Sequence, residues 1–269
     1  MSVNEYVTYD DLKTYLGITG TGDDALLKRI CTGASHIWDT LARRRFYEEQ
    51  ATKYFNFQTA YELFVAPEDL LSVTTLTNGD GNAISSSDFY LYPLNRYPKL
   101  WIEIARSSGT YFTYSTTRQR AISVAGLWGW HNDYDHAWED SGDTVQDDPL
   151  GAAATSLNVS DGDNFQVQQM VKIESEQVYI TAIAGNALTV ERGKNGTTAA
   201  EHAQGAAISI WQPAYDVEHW ALRLAAWLYR QKDAPFMKVG FPQMGVVAVP
   251  ASLPPDIREA ALRYRRVRV

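Results

Sequence analysis

Cysteine is almost missing from this chain: Cys31 is the single one in 269 residues. A disulfide framework is therefore excluded, and one thiol beside an apolar helical stripe reads as a core residue rather than a nucleophile or ligand. That usage fits folding in a reducing cytoplasm. Long apolar runs are missing as well. None approaches the roughly 18 residues of a membrane-spanning helix, and the opening MSVNEYVTYDD is polar and acidic, without a signal-peptide pattern. Positive charge is in deficit, with 24 Lys and Arg against 32 Asp and Glu, net −8. A dedicated DNA binder carries the opposite balance. No GxSxG, HExxH or CxxC motif occurs, and no nucleophile, base and orienting group fall together. The expectation is a protein that is not an enzyme and has no cofactor.

What is present can fold. Hydrophobic residues make up 45% of the chain, enough to bury a core. The stretch from Thr21 to Tyr47 reads as one long amphipathic helix, because Leu26, Leu27, Ile30, Ala34, Ile37, Trp38 and Leu41 recur at three- and four-residue steps. Thr21 with Asp24 makes a capping-box-like start, and Arg43, Arg44 and Arg45 suit the last turn. Gly33 inside the pattern predicts a close helix crossing. Before it, Thr8 and Asp11 form the capping box of a shorter helix that stops at Gly17.

These two segments, YVTYDDLKTYLGI and DDALLKRICTGASHIWDTLARRRFY, resemble the N-terminal helical part of head–tail connector (adaptor) proteins of tailed bacteriophages. Two further stretches are similar to the larger members with inserted β domains: VTTLTNGDGNAISSSDFYLYPLNRYPKLWIEI and AAWLYRQKDAPF. The resemblance implies a structural virion protein in a ring, twelve copies in the family, set below the portal. That ring extends the DNA channel and gives the tail its attachment site. The implied partners are further copies of the chain, the portal protein, a downstream tail or neck protein, and genomic DNA passing without sequence-specific contact. The implied location is the neck of the virion, and the host cytoplasm during assembly. An acidic body suits a conduit that must not grip DNA, since phosphates are held mainly through Lys and Arg.

Between residues 52 and 130 the texture turns to short runs rich in Tyr, Phe, Val, Ile and Thr, separated by turn residues such as Asn78-Gly79-Asp80-Gly81. Residues 131–153 are polar and read as a hydrated linker. His131, Asp133, Asp135 and His136, with Glu139, Asp140 and Asp143 beyond, make a candidate divalent-metal set, but their spacing matches no zinc or calcium pattern. The linker reading is preferred, with no metal. Residues 154–212 read as a second β unit, a small barrel or sandwich. Its run TVERGKNGTTAAEH is similar to a module inserted in phage structural proteins. Gly193 to Thr198 lacks the Walker order of residues and reads as tight-turn chemistry, braced by Arg192 and His202.

Asp216 then caps a helix striped with Trp220, Leu224, Trp227 and Leu228, expected to pack on the Ile30–Leu41 helix. Phe236 to Pro255 reads as an extended loop, and Pro254-Pro255-Asp256 opens a last short helix. From Ala251 onward five arginines face Asp256 and Glu259, net +3, so the rest of the chain carries −11. A basic end on an acidic body suggests docking onto something acidic.

The expected fold is α+β. A helical core comes from the two chain ends (1–51 and 213–269), with two small antiparallel β units (52–130 and 154–212) inserted between them and the linker 131–153 joining the pair. The residues expected at subunit or partner interfaces are Ile37, Trp38, Leu41, Trp220, Trp227, Phe236, Phe241, Arg263, Arg265, Arg266 and Arg268. The alternative function is a carbohydrate- or receptor-binding tail module using the aromatic-rich β units.

Overall fold

Each helix forms where its periodicity and caps demand. In a computed structural model that describes residues 4–232, 238–241, 245–248 and 252–266 (backbone only across 238–248), α1 spans Tyr9–Leu16. The Thr8–Asp11 capping box is formed and Gly17 closes the helix at φ 71. The second helix, α2, covers Asp24–Ala42 and turns off at Arg43 in the left-handed region, φ 54. Its start differs from the expected one. Asp23 is the cap residue but makes no side-chain cap bond. It accepts from Tyr229 and Lys232 instead, at 2.5 and 2.6 Å. Nor is there a crossing at Gly33, where an added Cβ meets nothing within 4 Å.

The third helix, α3 (Tyr215–Gln231), is capped at Ala214, two residues before the expected Asp216 cap. The fourth, α4 (Pro255–Arg263), starts on Pro254 as its prolines dictate. Leu27, Cys31, Ala34, Trp38 and Ala42 form the buried stripe of α2. It packs on α3, whose buried stripe is Val217, Ala221, Leu224 and Ala225. The small alanines let the two axes approach. Ile257, Ala260 and Ala261 of α4 close over α2.

Strands outweigh helices among the described residues, and this overturns the expected helical core with two small β inserts. Besides the four helices, the described residues hold antiparallel sheets of four, three and six strands and a hairpin. The four-stranded sheet runs β1 (Glu49–Phe55), β7 (Ile122–Trp128), β3 (Leu70–Thr77), β4 (Ala83–Ile84). The three-stranded sheet runs β2 (Glu62–Phe64), β6 (Trp101–Ile104), β5 (Phe89–Tyr92). The six-stranded sheet runs β8 (Trp138–Thr144), β13 (Ala207–Trp211), β10 (Met170–Ile173), β11 (Glu176–Ala184), β12 (Ala187–Glu191), β9 (Ser156–Asn158). The hairpin is β14 (Lys238–Phe241) with β15 (Gly245–Ala248).

The reason for the correction is burial on a scale the local pattern does not show. Thirteen fully or nearly buried apolar residues, among them Val145, Leu157, Val171, Ile180 and Ile208, give the six-stranded sheet a core of its own. Leu63, Leu76, Ile102, Val124 and Trp128 belong to a core of comparable size in residues 57–128. These are domain cores rather than inserts.

The contacts divide into two units. The first comprises 1–43, 139–194 and 199–265, and so holds all four helices together with the six-stranded sheet. The second comprises 44–138, 195–198 and 266–269 and holds the other two sheets. Within the first, Gln168 Nε2 donates to the Lys28 carbonyl (3.0 Å) and Thr8 Oγ1 to Gln166 Oε1 (2.5 Å), tying the helices to the sheet's own loops. Within the second, β7 lies so close to β3 that a Cβ on Gly126 would sit 2.1 Å from the Ser72 carbonyl oxygen; only glycine fits there. The stretch 131–153, expected as linker, carries β8.

Trp38 is fully buried between α2 and α4, its ring 6.1 Å from that of Tyr264, while Trp220 is half-exposed. Trp38→Ala should therefore cost about 3–5 kcal/mol in urea unfolding, and Trp220→Ala less than half as much. Equal costs for the two would contradict this packing.

Candidate interaction surfaces

The most elaborate polar site is built around the motif that the sequence singles out. Glu176 begins β11 with its carboxylate fully buried. Arg192, just past β12, meets it in bidentate fashion, Nε and Nη2 each at 2.7 Å. The backbone N–H groups of Gly193 (2.9 Å) and Ala200 (3.0 Å) donate to the same carboxylate, and His202 Nε2 lies 2.8 Å away. His202 Nδ1 faces Glu174 at 3.0 Å. Burial alone would raise the Glu176 pKa, but these donors outweigh it and hold it at about 2. The guanidinium also donates to the Gly151 and Ala200 carbonyls. The Arg192, Glu176 and His202 side chains are buried in this network, while the Glu174 side chain is exposed. The arrangement closes the loop 193–200, as the sequence predicts for Arg192 and His202.

The loop has a purpose in the chain path. Residues 195–198 belong to the second unit, where the Asn195 carbonyl accepts from Gln50 N–H at 2.8 Å. Gly196, at φ 82, would drive a Cβ to 2.1 Å from the Gln50 carbonyl oxygen. Asn195-Gly196 is thus a turn fixed by close backbone approach.

The acidic stretch after Trp130 is occupied with its own hydrogen bonds. Asp143, buried, accepts from the N–H groups of Thr144, Ser160 and Asp161 at 2.6–2.9 Å. Asp135 accepts from the Tyr97 hydroxyl, His136 pairs with Asp133, and His131 Nδ1 accepts from Asp133 N–H. Among the described residues no three His, Cys, Asp or Glu side chains converge as a metal site.

The residues expected at interfaces fall into distinct places. Trp38 is interior; Ile37, Leu41, Trp220 and Trp227 are half-buried on α2 and α3. Arg223 covers the Trp220 ring at 5.0 Å. Arg263 and Arg265 are exposed. Arg266 turns inward: its Nη2 lies 2.7 Å from the buried Asp69, which Arg44 also holds at 2.8 Å. Phe236 and Arg268 lie outside the described residues, as does the Phe241 side chain.

Two exposed surfaces among the described residues bear on assembly. The first is a groove of about 210 Å³ in the first unit, floored by Leu41, Ala261 and Leu262 and rimmed by Arg43, Arg258 and Arg265. Among the described residues neither Arg258 nor Arg265 has an ion-pair partner. The second, which the sequence reading missed, is the outer face of the three-stranded sheet. Register sets Phe64 opposite Trp101, and Trp101 opposite Tyr92. The rings touch in a row: Tyr92 and Trp101 stacked at 5.3 Å and 5°, Phe64 tilted on Trp101 at 6.2 Å. In the next row Glu62 stands opposite Glu103, and Glu103 opposite Tyr90. Like charges so placed repel, and neither glutamate has an ion-pair partner among the described residues. The alternation Glu62-Leu63-Phe64 and Trp101-Ile102-Glu103 is the signal; the pairing that opposes the glutamates is not readable without the register.

No family model matches the chain, and no curated protein matches it. Among solved structures it is similar to a chain in the neck of an empty GTA particle computed with C6 symmetry. The identity is 11%, the TM-score 0.40, and the match covers 100% of this chain and 97% of that one. At that identity and score the likeness does not by itself assign a function.

The Glu176 carboxyl, held near 2 in the fold against 4.5 as its ordinary value, contributes stability that is complete above the ordinary value and lost as pH falls through the lower one. Urea unfolding followed between pH 7 and pH 2 should show that loss. Glu176→Gln should cost about 3–5 kcal/mol at pH 7, because Arg192 is left buried and unpaired, and should flatten the acid limb. An unchanged acid limb would refute the assignment.

Proposed function

We propose that this chain is a structural protein of the head–tail junction of a phage-like particle. It forms a ring below the portal, extends the DNA channel and gives the tail its attachment site. The observation that carries this reading is the helical layer of the first unit. The two segments that resemble connector proteins fold as a capped short helix and a long helix, and α3 and α4 from the other end of the chain pack against the long one. Two of the stretches that resemble connector proteins thus lie in one helical layer, and that supports the reading.

Charge and surface chemistry support the same role. The acidic balance leaves little to hold phosphates in a channel wall. The polar clusters of Glu176, Asp143 and Asp69 brace the chain path, which supports a structural role. The exposed apolar and charged faces give a soluble chain something to assemble with. The partners in this reading are other copies of the chain, probed first, then the portal and the next neck or tail protein.

Cryo-electron microscopy of the protein mixed with the portal from the same genome tests this directly. The expected result is a cyclic ring of the chain stacked on the portal, with the helical layer ordered. If the two proteins stay apart even at high concentration, the proposal fails.

A further inference from the structure

We infer that the aromatic–glutamate face of the three-stranded sheet docks into the arginine-rimmed groove beside α4 of a neighbouring copy, and that this contact closes the ring. The inference rests on the ring reading and assigns its interface to named residues.

The two surfaces are complementary in charge, and each has an apolar part. One is a ridge: Phe64, Trp101 and Tyr92 stand in a row across β2, β6 and β5, with Phe64 45% exposed and Tyr90 beside them 51% exposed. Beside the ridge lie Glu62 and Glu103, two facing carboxylates without a cation among the described residues. The other surface is a groove with an apolar floor, where Leu262 is 49% exposed, and its rim holds Arg258 and Arg265 without carboxylates. Arg258 and Leu262 are one helical turn apart on the face of α4 opposite its buried Ile257, Ala260 and Ala261.

An aromatic ridge entering an apolar groove while guanidinium groups reach a repelling glutamate pair relieves that repulsion and buries both apolar surfaces. Planar guanidinium suits both carboxylates and ring faces. Because the two patches differ, the contact is heterologous, and a heterologous contact generates a ring when its rotation closes. A saccharide suits the ridge less well. The Tyr92 and Trp101 faces are stacked on each other at 5°, so one face of each ring is already covered.

The test uses full-length protein with the portal of the same genome, scoring rings by electron microscopy and native mass spectrometry. One variant carries Glu62→Arg with Glu103→Arg, the other Arg258→Glu with Arg265→Glu. All four positions are at the surface, and thermal unfolding checks that both variants fold. Each variant alone should need about tenfold or more protein to form rings, since like charges then face across the contact. An equimolar mixture should recover ring formation, because every contact in an alternating ring is again complementary. Rings from both variants at the unaltered concentration would overturn this interface and leave the ring reading standing. Loss in either variant without rescue in the mixture would also overturn it, since the patches would then not meet. No ring from the unaltered protein would overturn both readings. Retention of the unaltered protein on a cellohexaose resin, abolished by Trp101→Ala, would reassign the ridge to saccharides and overturn the docking.

Discussion

A carboxylate removed from water governs how the chain is threaded. Glu176 sits wholly inside the first unit, and taking such a group out of water is affordable only when its acceptor positions are filled. Arg192 fills two, the Gly193 and Ala200 amides two more, and His202 comes to the same oxygen as one of them. All five donors lie between Arg192 and His202, so satisfying the charge fixes both ends of the intervening loop. The loop tip, residues 195–198, is then delivered to the second unit, where Gly196 meets the Gln50 carbonyl. Removing the carboxylate would release the brace at its centre; replacing the glycine would keep the brace and spoil the landing.

The helices were legible in the sequence because their determinants are local. Thr8, Asp11 and Gly17 specify α1 within ten residues, and the three- and four-residue spacing of Leu27, Ala34 and Trp38 specifies the buried side of α2. The strands were legible as strands. Their weight in the fold was not, because a six-stranded sheet is assembled from pairings such as β8 with β13, more than sixty residues apart. Local alternation shows that a strand has an inner face; it does not show how many inner faces share a core. Polar composition misled in the same way at residues 131–153. Asp143 looks solvated by its neighbours in sequence, yet its oxygens organise the chain at Ser160 and Asp161.

The surface sites divide along the same line. Arginines near the C-terminus stand out from composition alone, and Arg258, Arg263 and Arg265 are exposed as a docking tail would need. Arg266 is indistinguishable from them in sequence but is committed to Asp69, a buried carboxylate 197 residues away that also takes Arg44. The ridge of Phe64, Trp101 and Tyr92 was hidden for the converse reason. Each ring belongs to a different short strand, and only the register brings them into a row.

Charge therefore has two distinct uses in this protein, separable by what surrounds it. At Glu176 and Asp69 buried carboxylates are paired with arginines, where losing one partner strands the other. At Glu62 and Glu103 like charges are placed face to face on an open sheet, a choice that costs stability in the isolated chain. A surface optimised only for the monomer would alternate these positions with lysine or threonine. The uncompensated pair lies beside exposed aromatic rings, in a chain where Arg258 and Arg265 also have no ion-pair partner among the described residues; the proposed contact would relieve the repulsion. Like charges placed so are the kind of surface cost that a complementary partner would offset, which is the physical basis of the proposed contact.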